Sequence, residues 1–128
     1  MSEAQYYIDT KSYQVTNNTG TYQGILPLPP GAVPVAAHVS RSTYEDQMAN
    51  AYIEIVYTTG NKKRVVQTYG TGTDEVYPYY HSPYYQEYVF TESDLAGYSH
   101  IYYFAQLRSS GNSTHARAAV DYKIITWE

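Results

Sequence analysis

Residue types able to do chemistry are present in this chain, but their spacing is uninformative. The four histidines, His38, His81, His100 and His115, lie far apart and show none of the close spacings that prepare a zinc site. His100 and His115 fall in the same phase of what reads as a closing hairpin and could approach each other, yet two histidines without a positioned carboxylate are ordinarily surface residues. There is no Gly-x-Ser-x-Gly elbow, and no Ser, His and Asp set stands out for nucleophilic catalysis. Glu54, Asp74, Glu75, Glu87, Glu92, Asp94 and Asp121 include pairs of the kind a glycosidase needs, one acid and one base or nucleophile, but any chain with 12 acidic residues offers such pairs. Asp74-Glu75 with Glu92-x-Asp94 lacks the alternating ligand spacing of a calcium loop. Gly70-Thr71-Gly72 lacks the lysine and following helix of a phosphate loop. The expectation is a protein with no catalytic residue, no metal site and no cofactor.

One segment stands apart. From Tyr77 to Tyr88 the chain runs Tyr-Pro-Tyr-Tyr-His-Ser-Pro-Tyr-Tyr-Gln-Glu-Tyr, nearly a short repeat. Two proline-anchored pairs, Tyr79-Tyr80 and Tyr84-Tyr85, present large rings on a backbone of reduced freedom, which lowers the entropy lost when a partner docks. Sugar rings stack on such faces, and subunit interfaces are enriched in the same side chain. Tyr77, Tyr79, Tyr80, His81, Tyr84, Tyr85 and Tyr88 are therefore the candidate ligand or interface residues. The plainer alternative is a loop that folds back and plugs an open end of the domain. Plug and interface stand level, with glycan contact behind them.

Composition narrows the partners. The 128 residues suit one domain spanning 1–128, long enough for a core without staples. Cysteine is absent, which removes disulfides and thiolate sites. A net charge of −4 has the wrong sign for a phosphate backbone or an anionic membrane, so neither nucleic acid nor membrane insertion is expected. The start, Met1-Ser2-Glu3-Ala4-Gln5, has no signal-peptide pattern, which suggests synthesis in the cytoplasm and makes the sequons at Asn17 and Asn112 coincidental. The chain holds 18 tyrosines against two phenylalanines and one tryptophan. Tyrosine combines β propensity with a polar tip, so it suits half-wet sheet faces and interfaces.

The elements that must position these residues read as strands. Gln5–Ile8 and Ser12–Val15 form a first hairpin or one bent strand, and Asn17-Asn18-Thr19-Gly20 is turn chemistry. Leu26–Gly31, with three prolines, is a rigid connector, and Pro34 suggests a strand beginning after it. Ser40–Gln47 reads as a surface loop. Ile53, Ile55 and Tyr57 share one face of a strand whose hairpin partner, Lys63–Tyr69, follows the turn Thr59–Lys62. Thr91–Asp94 resembles a capping box opening a single helical turn that Gly97 ends. Ile101, Tyr103, Ala105 and Leu107 alternate inward, as do Ala116, Ala118, Val120, Tyr122 and Ile124. About seven to nine short strands with turns between them make an all-β, antiparallel β-sandwich, of jelly-roll type or a small barrel.

The last third, Ser93-Asp94-Leu95-Ala96-Gly97-Tyr98, then Ile101–Arg108 and Ala118–Ile124, resembles the closing hairpin of jelly-roll modules. These are the carbohydrate-binding and galactose-binding-like modules that recur in the receptor-binding parts of phage tail fibres, where the final strand carries an Asp that Asp121 matches. The resemblance implies a non-catalytic structural, assembly or adhesion module. On that reading the chain is a phage decoration or tail subunit, at home on a virion or an extracellular surface, forming a homo-oligomer or joining other structural subunits through tyrosine-rich surface. The alternative is a lectin-like module that binds a surface glycan.

Overall fold

A computed structural model describes residues 4–42, 49–68, 84–108 and 115–127, with only the backbone of residues 4, 84, 126 and 127. It contains β1 (Ala4–Thr16), β2 (Gly20–Ile25), β3 (Val33–Ser42), β4 (Ala49–Tyr57), β5 (Lys62–Gln67), β6 (Tyr84–Val89), a helical turn α1 (Glu92–Leu95), β7 (Tyr98–Leu107) and β8 (His115–Trp127). No helix among the described residues is long and apolar enough to cross a membrane.

The strands form two antiparallel four-stranded sheets. Sheet A has the order β1-β8-β3-β6 and sheet B the order β2-β7-β4-β5. The pairs β1·β8, β2·β7, β3·β6 and β4·β5 are nested one inside the next around the β4–β5 turn, as when one long antiparallel hairpin is rolled up. That topology is the jelly roll, and the eight strands among the described residues lie within the expected seven to nine.

Period-two alternation builds the core. Burial in β7 alternates strictly, with Ile101, Tyr103, Ala105 and Leu107 inside. Ile53 and Ile55 of β4, Val39 of β3 and Val120 of β8 are fully buried against them. Each such side chain gains about 1.5–3 kcal/mol over an exposed position. The inner row of β8 is small at Ala116 and Ala118, and the volume above it is filled by a large stacked pair. The rings of Tyr13 and Tyr103 lie 3.8 Å apart and 4° from parallel, β1 against β7 across the sandwich.

Turn chemistry acts where it was expected. Asn17 takes a positive φ of 64° between β1 and β2, a conformation asparagine tolerates better than most residues. Gly60, at φ 92°, closes the β4–β5 hairpin. Thr91 and Asp94 form the reciprocal capping box that starts α1.

Of the two alternatives for residues 4–16, the single strand is found and not the hairpin, because the polar Asp9-Thr10-Lys11 keeps its ladder to β8. Three other expectations change in detail. β3 begins at Val33, and Pro34 is accommodated at an irregularity in the β3–β8 ladder, where a missing amide costs no hydrogen bond. Ser40–Ser42 continue β3 instead of opening a loop, and Arg41, in phase with Ala37 and Val39, is 5% exposed. β7 and β8 are not a hairpin: they belong to opposite sheets, so His100 and His115 do not meet. Alternation tells which face a residue takes, but a strand that crosses to the other sheet alternates just like one that pairs with its neighbour.

Candidate functional site

Of the seven candidate residues from the tyrosine-rich segment, Tyr77, Tyr79, Tyr80 and His81 lie outside the described residues, as do Asp74 and Glu75. Tyr84 is placed by its backbone on β6, opposite Arg41. Tyr85 and Tyr88 point in opposite directions from β6, as their odd separation demands.

Tyr88 faces inward and is half-buried. Its hydroxyl donates to Asp94 Oδ2 at 2.7 Å, while Lys63 Nζ donates to Oδ1 at 2.6 Å. The Thr91 amide donates to the same carboxylate, and Tyr57 Oη donates to the Asp94 carbonyl. Burial alone would raise the Asp94 pKa, but the hydrogen bonds from Lys63, Thr91 and Tyr88 outweigh it and hold the carboxyl well below the usual range. The result is a polar rivet between β4 and β5 of sheet B, β6 of sheet A and the corner at α1.

Tyr85 faces outward and is 60% exposed. Its hydroxyl donates to Glu87 Oε2 at 3.1 Å, and its ring centroid lies 6.0 Å from that of His38. His38 is the centre of a chain of side chains on the outer face of sheet A. Arg117 Nη1 lies 3.2 Å from His38 Nδ1, and Asp121 Oδ1 lies 3.1 Å from Nε2. Arginine can only donate, so Nδ1 is the accepting nitrogen and the ring proton sits on Nε2, facing the carboxylate. Thr10 Oγ1 donates to the same Asp121 oxygen at 2.6 Å. Ser40 and His115 pair alongside at 3.2 Å, and burial, then Arg117, pushes the His115 pKa down.

The pairing of sheet A explains how residues so distant in sequence converge. His38 opposes Ala119 in β8 and Glu87 in β6, while Asp121 opposes Thr10 in β1 and Ala36 in β3. All share the outward phase. Chemically, the Asp121–His38 pair is not coupled to a hydroxyl nucleophile, because His38 Nδ1 is occupied by Arg117. The face instead offers an exposed ring beside a carboxylate and a guanidinium. Among the described residues no group of three or more His, Asp or Glu side chains is arranged to hold a metal ion.

On the outer face of sheet B, Arg64 covers Tyr52 at 3.7 Å and Tyr52 stacks on Phe104 at 4.9 Å. The ring faces are spent on one another. A groove of about 540 Å³ runs beside β5, lined by Glu54, Lys62, Arg64, Gln67 and Gln86. Its Arg64 and Glu54 are already paired at 2.8 Å.

One bare apolar surface among the described residues was not anticipated. β3 leaves β8 at the pair Val33·Lys123, so Ala4–Tyr7 and Ile124–Trp127 continue as a two-stranded ribbon. Tyr6, Tyr7 and Ile8 are 62%, 52% and 64% exposed, and Ile125 is 37% exposed. Tyr6 and Tyr7 lie on opposite faces, so the ribbon is apolar on both. The signal was in the sequence: Tyr6-Tyr7-Ile8 breaks alternation and leaves a strand with no wet side. The Asp121–His38–Arg117 chain had no such signal, since 83 residues separate His38 from Asp121.

No known family and no curated protein matches the chain in sequence. Among solved structures, a chain in the structure of infectious bursal disease virus, Gx strain, aligns with a TM-score of 0.43 at 10% sequence identity. The alignment covers 94% of this chain and 32% of that one, so this chain spans about a third of the other's length.

Proposed function

We propose that this protein is a non-catalytic assembly module that self-associates, or joins other structural subunits, through apolar surface that its jelly roll leaves bare. A virion subunit such as a phage decoration or tail protein is the role that fits this reading. The observation that carries it is the ribbon of Ala4–Tyr7 and Ile124–Trp127, with Ile8 exposed at its base. A two-stranded ribbon is marginal in water by itself, and one that is apolar on both faces loses free energy on each of them. Covering Tyr6, Tyr7 and Ile8 would gain on the order of 1 kcal/mol for each half-exposed side chain.

The test is light scattering coupled to size-exclusion chromatography over a concentration series. The native chain is expected to run as a defined oligomer, and Tyr6→Ser with Ile8→Ser should shift it towards monomer. A native chain that stays monomeric at every concentration overturns the proposal.

A second reading, a lectin-like module, is favoured by one specific arrangement: the exposed Tyr85 ring beside His38, Asp121 and Arg117. Screening against a broad glycan panel should then give a binder whose affinity falls at least tenfold in Tyr85→Ala and Asp121→Ala. No bound glycan across the panel removes this reading.

A further inference from the structure

The four edge strands of the sandwich are not alike. β5 carries Lys62, Lys63 and Arg64 in succession, and β2 and β6 are six residues each, β2 with two glycines. Charge and shortness are the devices by which natural sheets protect their edges. β1 is not short, and its two charges, Asp9 and Lys11, are opposite in sign and two residues apart, so they can pair across a two-fold axis instead of repelling a second strand. It is 13 residues long, holds no proline or glycine, and keeps an unbroken register with β8, and among the described residues no strand pairs with its other edge.

We propose that β1 pairs antiparallel with β1 of a second copy of this chain, about a two-fold axis at Thr10, to make one continuous eight-stranded sheet. This inference rests on the assembly reading and names its surface and partner.

Three features of β1 support the second copy as occupant. Thr10 is the midpoint of Ala4–Thr16, so the register that pairs all 13 residues places Thr10 against Thr10 of the second copy. That same register sets Asp9 against Lys11 of the second copy, twice by symmetry. Moving the axis to residue 9 or 11 would set Asp9 against Asp9, or Lys11 against Lys11. Like charges directly opposite are destabilising and opposite charges favourable, so the two charged residues select the full-length register over both neighbours.

Packing agrees. The ribbon residues Tyr6 and Tyr7, and Ile8 at its base, come to lie beside Gln14, Tyr13 and Ser12 of the second copy, so the ribbon gains strands on its open side. Tyr7 then meets the Tyr13 ring, which already stacks on Tyr103 and lies 6.2 Å from Tyr22. In the single chain Asp9 Oδ1 accepts from the Thr10 amide at 2.8 Å. Turning Asp9 to Lys11 of the second copy frees that amide for the opposing strand.

Charge exchange tests the pairing. Asp9→Lys alone sets Lys against Lys and Lys11→Asp alone sets Asp against Asp, so each should weaken self-association at least tenfold by sedimentation equilibrium. The double variant restores both pairs and should recover native affinity. The two single variants mixed should form a heterodimer. Circular dichroism and thermal unfolding of each variant check that β1 is still folded. If the native chain associates but the single variants associate equally well, this pairing is wrong and the assembly reading survives through another surface. If the native chain never associates, both fail.

Discussion

Lys63 of β5 and Asp94 of α1, 31 residues apart, meet at 2.6 Å, with Asp94 almost fully buried and the lysine half-exposed. The carboxylate is the shared acceptor for three elements, so its charge does structural duty although its residue type looks catalytic. Asp94→Asn keeps the shape and removes the charge. It is expected to cost about 1.5–3 kcal/mol, the range for hydrogen bonds to charged groups.

The same carboxylate sets the acid limit. A folded pKa held below the unfolded value, near 3.8, means that its stabilisation is complete above that value and is lost as pH falls towards the folded pKa. Melting temperature should therefore drop as pH falls below about 4, and the drop should be shallower in Asp94→Asn. Thermal unfolding monitored between about pH 2 and 7 reads both.

His115 acts at milder pH. Its folded pKa is pushed below 6.5 by burial and by Arg117, so the unfolded chain binds the proton more readily. Stability is complete above that value and declines as pH falls from it towards the folded pKa. His115→Gln should flatten this part of the profile in urea unfolding at a series of pH values, and an unchanged slope would exclude the residue as its cause.

The turn between β1 and β2 depends on Asn17 at φ 64°. Asn17→Gly should be neutral or slightly stabilising, whereas Asn17→Val should cost about 1–2 kcal/mol, because a branched Cβ crowds the backbone in the left-handed region. Urea midpoints of the two variants, compared with the native chain, measure the difference.

Local chemistry in the sequence was enough for the β class, the inward faces of β4, β7 and β8, the β4–β5 hairpin and the capping box at Thr91. Each rests on interactions within a strand, a turn or one helical turn, where side-chain order and spacing decide the outcome. The hairpin was legible because β4–β5 is the one connection in the jelly roll that stays within a sheet; the others cross between sheets. Partner choice was decided by the tertiary structure: β7 and β8 alternate as a hairpin would, yet they serve opposite sheets. Arg41 shows the same limit, since its charge suggested a surface loop and its phase on β3 turned it inward. The outer face of sheet A exists only after β1, β8, β3 and β6 have paired, bringing Thr10, His38, Tyr85, Arg117 and Asp121 onto one surface. Strand alternation fixes a residue's face from its neighbours, whereas the company it keeps on that face depends on long-range pairing that no local pattern encodes.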